Sequence, residues 1–305
     1  MRIPPLALIV LLCLGAVSAP ARKPLFGGPK DIPVGADGTI PGIVASGVLG
    51  QTSYISGAKQ IAVPMIAVGF ESTAKARISH GGRDSITTKS LNLELRIDPA
   101  VLQAITDELQ AVVEHDLVAQ GFSILPKDTI DADARWTGIN KDGQPGVEIK
   151  DNFLSGFGGN GTFSRWFTAG NRPLFGTGAT GVGSAMGPLI HIARDKKISL
   201  LFYRLKVQFT DIDSHNGIVF NYVKGKNDLH MVSADVSVFT PEHTLAGTVK
   251  LDANITMGSN YVEDLDTHAK GDYTVIANPE RFKADSLTLL KAVSAQLAQA
   301  VRKAQ

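Results

Sequence analysis

The sequence predicts an α+β fold, an α/β sandwich in which helices pack on one face of a mixed sheet containing a long antiparallel meander. Three observations support this prediction. QIAVPMIAVGF (residues 60–70) is a nearly continuous apolar run, typical of a strand buried on both faces. Residues 98–121 have apolar side chains at helical spacing, and residues 245–257 alternate apolar and polar side chains over an unusual length.

The first ordered stretch is predicted to contain a strand, a second strand, a helix and a third strand. Pro64 places an edge or bulge in the first strand, and a polar loop with Gly81-Gly82 follows it. SLNLELRID (residues 90–98) alternates leucine with polar residues and indicates a half-buried strand. Asp98 and Pro99 supply an N-cap and a first helical residue, and a short strand follows the helix at residues 122–125.

The C-terminal half is predicted to be a meander backed by a helix. ISLLFYRLKVQFTD (residues 198–211) is an alternating strand, and Asn216-Gly217 is a hairpin signal before the next one. Beyond the turn TPEHT, LAGTVKLDANITM (residues 245–257) places apolar residues on one face and polar residues on the other, so we expect one covered and one wet face. The cover is predicted to be a helix from Asp285 to Arg302.

The N-terminus has the pattern of a secretory signal peptide. Arg2 precedes an apolar run, and small residues at positions 18–21 allow cleavage after Ala19 or Ala21. Cleavage at either point removes Cys13, the only cysteine, so we expect a mature chain without disulfides. Removal of Arg2 with the signal peptide leaves equal numbers of basic and acidic residues. This balance gives no electrostatic footprint for nucleic acid and predicts at most peripheral contact with a membrane.

The predicted organisation has five parts. They are a signal peptide (1–21), an extended Gly/Pro-rich arm (22–60), an α/β lobe (61–137), a Gly-rich aromatic insertion (138–188), and the meander with its C-terminal helix (189–305). A single domain, or two lobes joined through the insertion, fits this pattern equally well.

Gly176, Gly178 and Gly181 have the G-x-G-x-x-G spacing of a dinucleotide-binding loop. That motif requires a strand before it and a helix after it. Pro173 interrupts the preceding stretch, and Pro188 is expected to break the helix that should follow. We therefore interpret the segment as a flexible glycine-rich loop and expect no cofactor.

Aromatic residues crowd the same insertion, which suggests either a cluster that fixes the loop in place or an apolar surface presented to a partner. If the second alternative holds, the partner-binding candidates are Phe157, Phe163, Trp166, Phe167 and Phe175.

Other chemistry-bearing residues form no strong motif. Asp264, Asp266 and His268 share one face of an extended segment and could ligate a divalent ion, although a solvated strand edge or loop explains them better. No nucleophile elbow or cysteine–histidine context is present, so the catalytic residues, if there are any, are unknown. Groups distant in sequence can still assemble in space.

Two stretches give a family resemblance. QIAVPMIAVGF, with the helix ending in GFSIL, and KVQFTDIDSHNGIVFNYV resemble the α/β domain shared by the curli secretion channel, the lipoprotein activators of peptidoglycan synthases and the amino-terminal domain of the Tol-Pal translocation protein. The resemblance implies a cell-envelope assembly or interaction protein rather than an enzyme.

We therefore expect a periplasmic or extracellular protein of the bacterial cell envelope that binds protein partners or copies of itself. Two alternatives remain open. One is an exported hydrolase with dispersed catalytic residues, and the other is a small-molecule or lipid binder that uses the aromatic loop.

Overall fold

The structure, a computed structural model, describes residues 31–42, 45–49, 60–81, 86–139, 143–150, 162–174, 185–216, 221–242 and 247–303. The predicted signal peptide and the glycines of the G-x-G-x-x-G pattern lie outside these ranges.

Strands and helices follow one another in a mixed order along the described chain. The strands are β1 (Asp31–Pro33), β2 (Ala45–Leu49), β3 (Gln60–Gly81), β4 (Ile86–Arg96), β5 (Ser123–Ile124), β6 (Val147–Lys150), β7 (Phe163–Thr168), β8 (Ser199–Gln208), β9 (Asp211–Asn216), β10 (Asn221–Lys226), β11 (Leu229–Phe239), β12 (Gly247–Leu251), β13 (Asn254–Met257), β14 (Val262–Ala269) and β15 (Asp272–Ala277). The helices are α1 (Pro99–Ala119), α2 (Asp128–Asp131), α3 (Ala134–Thr137), α4 (Met186–Lys196) and α5 (Pro279–Lys303).

One large mixed sheet organises the fold and confirms the predicted α+β class. Its main path runs β1-β13-β11-β8-β3-β4-β15-β14, with β12 joining β11 to β2, and with β5 and β7 also pairing with β3. The pairs β3–β8, β4–β15 and β1–β13 are parallel, whereas most other pairs are antiparallel. The strands β9 and β10 form a separate hairpin, as the Asn-Gly signal predicts.

Strand β3 is the centre of the sheet. Residues 61–70 are all buried, as expected for a strand covered on both faces. The β3–β8 register shifts between Ala62 and Met65, which confirms the bulge predicted from Pro64. The strand then continues to Gly81, where we expected a polar loop. That expectation was wrong, because this polar stretch is held as a strand by pairing with β4. Two alternate residues within it, Ala74 and Ala76, are buried.

The two long helices pack together on one face of the sheet. Helix α1 begins as predicted, with the carboxylate of Asp98 accepting a hydrogen bond from the Ala100 amide at 2.9 Å. Helix α5 begins at Pro279, six residues before the predicted start, because Asn278 caps it by accepting a bond from the Arg281 amide. Their buried residues form one apolar core with β3, β8 and β11.

A second, smaller core lies on the opposite face of the sheet. Leu189 and Ile192 of α4 pack there against Phe202 of β8 and Trp136 of α3. Not every helix therefore lies on the same face, although the two long ones do. Helix α4 begins at Met186, so Pro188 lies in its first turn, where no intrahelical amide bond is lost. The expectation that Pro188 would prevent a helix was wrong for this reason.

The predicted meander is confirmed as β11, β12 and β13. The long alternating segment is divided at Asp252-Ala253, and both parts pair antiparallel with β11. Val249 and Ile255 are buried in the core that α5 covers, while Lys250 on the other face is exposed. The predicted covered and wet faces are both present.

The Gly/Pro-rich arm and the Gly-rich aromatic insertion also contribute strands to the sheet. In the N-terminal arm, β1 adds to β13 and β2 adds to β12. Within residues 138–188, β7 pairs with β3 and β6 pairs with β7. No helix among the described residues has both the length and the apolarity needed to cross a membrane.

Candidate functional site

Strand β14 forms one end of the sheet and has a long exposed stretch. It ends the path beyond β15, and residues 263–269 are exposed without interruption. Edge strands present unpaired backbone groups, so such a strand is a potential docking site for another chain. We therefore take β14 and its immediate neighbours as the candidate site.

A tight turn at Lys270-Gly271 connects β14 to β15 and fixes the position of the hairpin. Gly271 has a φ of 84°, and a Cβ at this position would lie 2.3 Å from the carbonyl oxygen of Ser90. Its own carbonyl accepts a bond from the Asn92 amide at 2.7 Å, and the Asn92 side chain donates to Asp272 at 2.7 Å. Only glycine meets both requirements of this turn, because it tolerates the left-handed conformation and has no Cβ.

The two faces of β14 differ in chemistry. Leu265 pairs with Val275, a buried core residue, and so lies on the face that the long helices cover. Its side chain nevertheless remains 48% exposed. Asp264 and Asp266 point to the opposite face, and both are exposed. The strand thus has an apolar position between two carboxylates that point the other way.

The three residues considered as metal ligands lie on this strand but do not form a ligand set. Asp264 accepts a bond from the Leu265 amide at 2.8 Å. His268 lies where the β14–β15 register shifts, between Thr267 and Ala269. Its Nε2 lies 2.8 Å from the hydroxyl oxygen of Thr274. Across the described ranges, no three His, Cys, Asp or Glu side chains come together as a group that could hold a metal ion. All three residues lie on an exposed strand at the edge of the sheet.

The aromatic partner candidates separate into different environments. Phe167 is 4% exposed and packs edge-to-face against Phe70, so its side chain belongs to the main core. Phe163 and Trp166 are partly exposed. Phe157 and Phe175 lie outside the described residues. The alternative that these aromatics fix the segment in place therefore accounts for Phe167.

Hydrogen bonds to α1 and β3 also hold the end of β7 in place. The Gln103 side chain donates to the Thr168 carbonyl at 2.9 Å, and the Gly170 amide donates to Asp107 at 2.8 Å. Arg172 donates to the Pro64 carbonyl at 2.6 Å. The partly exposed Trp166 is therefore presented from a rigid part of the sheet.

A row of polar side chains crosses the sheet on the face opposite the long helices. Arg204 and Asp235 are direct cross-strand neighbours, 2.6 Å apart, with side chains only 16% and 17% exposed. Burial raises the pKa of Asp235, and the neighbouring Arg204 opposes that rise. Glu71 and Gln208 extend the row, with a 3.4 Å contact between their side chains. The alternation of β8 predicted that Arg204 and Gln208 share a face, but not that their face is largely buried.

Sequence reasoning grouped Asp264, Asp266 and His268 but missed the hairpin that contains them. The available signal was the Lys-Gly pair at positions 270 and 271, which separates two β-rich stretches. Leu265 was missed because a single leucine between acids gives no periodic pattern.

The chain matches no protein-family model, and no curated protein or solved structure is significantly similar to it. The resemblance to the envelope α/β domain therefore stays a prediction.

Proposed function

We propose that the protein is an exported, non-enzymatic binding or assembly protein of the bacterial cell envelope, and that β14 is its contact strand. The uninterrupted exposure of residues 263–269 at the edge of the sheet carries this proposal. A strand in this position can bind another chain through its backbone, and its side chains then determine which chain binds.

The supporting structure around β14 is rigid, which favours a binding role. The strand is paired along its length with β15, and β15 is paired in turn with β4. Val275 of β15 is buried in the main core. Because little ordering is needed when a partner docks on a preformed strand, the entropic cost of association is reduced.

The proposal of export rests on the sequence. The N-terminal sequence has the pattern of a signal peptide, and a mature chain without cysteine suits a protein that folds without disulfides after export.

Photo-crosslinking in living bacteria tests the proposal. A photoreactive phenylalanine analogue replaces Leu265, and the matched control carries it at Val118 of α1, which is 56% exposed. We expect position 265 to form a discrete adduct with an envelope protein, identified by mass spectrometry, and position 118 to form none. We also expect the exported chain to begin after Ala19 or Ala21. Retention in the cytoplasm, or equal crosslinking from both positions, would contradict the proposal.

A further inference from the structure

We infer that β14 binds an extended segment of a partner protein in which basic and apolar side chains alternate, and that this segment adds to the sheet as its next strand. The inference rests on the proposed function and specifies the chemistry of the partner. Three properties of β14 support it: the backbone groups at its edge, the different side chains on its two faces, and its negative charge.

The backbone of β14 offers a short regular edge. Residues 264–267 pair in unbroken antiparallel register with residues 273–276, and the register shifts on either side of them. In such a ladder every second residue directs its N–H and C=O groups away from the neighbouring strand. The Leu265 amide is one of the outward groups and donates to the Asp264 carboxylate at 2.8 Å, so an added strand replaces that bond with one of its own. The shifts on either side limit the regular pairing to a few residues.

The two faces of β14 require different side chains from the added strand, apolar on one face and basic on the other. On the face of the long helices, an incoming residue lies beside Leu265, the exposed cross-strand neighbour of the buried Val275. On the other face, incoming residues lie beside Asp264 and Asp266. Because successive residues of a strand point to opposite faces, a segment that satisfies both must alternate apolar and basic side chains.

The negative charges of Asp264 and Asp266 make a second copy of this chain an unfavourable partner for β14. Two β14 strands pairing edge to edge would bring the carboxylates of one against those of the other, and like charges directly opposite destabilise a sheet. Arg96 is two strands away from Asp264, so it does not neutralise the charges of Asp264 and Asp266. The same carboxylates attract a basic segment.

Peptide binding to the full mature protein tests the inference. The probe is a short peptide alternating lysine and valine. One control peptide has the same composition with the lysines and valines in separate blocks, and a second alternates glutamate and valine. We expect the alternating basic peptide to bind best by fluorescence anisotropy, to bind more weakly as salt is raised, and to slow amide hydrogen exchange at residues 264–267.

Charge reversal distinguishes this edge from other acidic surfaces. In the double variant D264K/D266K we expect binding of the basic peptide to weaken by about tenfold or more and binding of the acidic peptide to appear. The matched control is E242K/D252K, which reverses two exposed acids elsewhere and should bind like the unaltered protein. Leu265→Ser should also weaken binding, whereas Val118→Ser should not.

The inference is overturned if D264K/D266K binds the basic peptide as tightly as E242K/D252K does, or if hydrogen exchange at residues 264–267 does not change. If position 265 still crosslinks to an envelope protein in cells, the proposed function survives that result. Loss of both the crosslink and the peptide selectivity would overturn both.

Discussion

The indole ring of Trp166 occupies the space that a side chain at position 69 would need. A Cβ on Gly69 would lie 2.6 Å from Cε2 of that ring and less than 3 Å from two further ring atoms. The two residues are direct cross-strand partners on β3 and β7. The absence of a side chain at position 69 therefore allows β7 to bring a large aromatic ring onto the sheet.

We predict that Gly69→Ala displaces Trp166 and destabilises the protein by about 1 to 3 kcal/mol, because overpacking forces the ring or the backbone to move. The measurements are urea unfolding and the tryptophan emission spectrum. Gly258→Ala is the matched control, since no atom lies within 4 Å of a Cβ at that position. An unchanged emission spectrum in Gly69→Ala would count against this packing arrangement.

Two buried tyrosines provide a second comparison. The Tyr261 hydroxyl donates to the carbonyl of Phe209, whereas the Tyr203 hydroxyl has no hydrogen-bond partner among the described residues. Burial raises the pKa of both. We predict that Tyr261→Phe lowers the free energy of unfolding by about 1 to 2 kcal/mol, because the Phe209 carbonyl loses its partner.

Tyr203→Phe should be neutral or stabilising, because it removes a buried hydroxyl that makes no hydrogen bond to the described chain. Chemical denaturation of the two variants under identical conditions makes the comparison. Equal destabilisation by both would show that the hydroxyl of Tyr261 contributes nothing beyond packing.

The carboxyl group of Asp133 makes the stability of the protein depend on pH in the acid range. Two nitrogens of Arg135 donate to its carboxylate at 2.9 and 3.0 Å, and this lowers its pKa from 3.8 to about 2. A lowered folded-state pKa stabilises the protein above the unfolded value, and that contribution is lost as pH falls from 3.8 towards 2. We predict that Asp133→Asn costs about 1 to 2 kcal/mol at pH 7.

The difference between Asp133→Asn and the unaltered protein should shrink as pH falls through this window, as measured by urea unfolding at a series of pH values. Asp128→Asn serves as the control, because Asp128 is exposed on the neighbouring turn. A difference that is constant with pH would exclude the ion pair as its cause.

The carboxyl group of Asp235, which is paired with Arg204, should affect stability with the opposite sign to that of Asp133. Because burial raises the pKa of Asp235, ionising it works against the fold as pH rises above its ordinary value of 3.8. We predict that Arg204→Met destabilises the protein by about 3 kcal/mol at pH 7, since it leaves Asp235 without its counter-ion. The loss should become smaller as the pH is lowered, because the raised pKa of Asp235 makes its carboxyl group take up a proton more readily than an ordinary aspartate.

The double variant R204M/D235L is compared with Arg204→Met to separate the loss of the ion pair from the cost of the unpaired Asp235. It removes both charges and fills the space with apolar atoms, so we expect stability close to that of the unaltered protein. Thermal unfolding of the single and double variants measures the coupling. A double variant as unstable as Arg204→Met alone would indicate that other contacts of Arg204 cause the loss.

The elements with strong local signals could be predicted from the sequence. The cap at Asp98, the bulge at Pro64 and the alternation through Val249 and Ile255 each depend on residues near in the chain, and the structure confirms all three. The C-terminal half of β3 could not be predicted, because its residues are polar and become a strand only through pairing with β4.

The candidate site was only partly predictable for the same reason. A pattern of acids identified Asp264 and Asp266, but their position at an edge follows from the parallel pairing of β15 with β4, residues that are far apart in the sequence. The half-buried state of Trp166 likewise depends on β3, nearly a hundred residues earlier.

The parallel pairing of β3 with β8 has a consequence for how the chain reaches its folded state. About 130 residues of chain separate residues 61–70 from their partners at 199–207. During synthesis from the N-terminus, the buried apolar part of β3 is therefore complete long before the strand that covers one of its edges has been made. Until then that edge has no partner from β8, and an unpaired strand edge is where incorrect pairing with another chain begins.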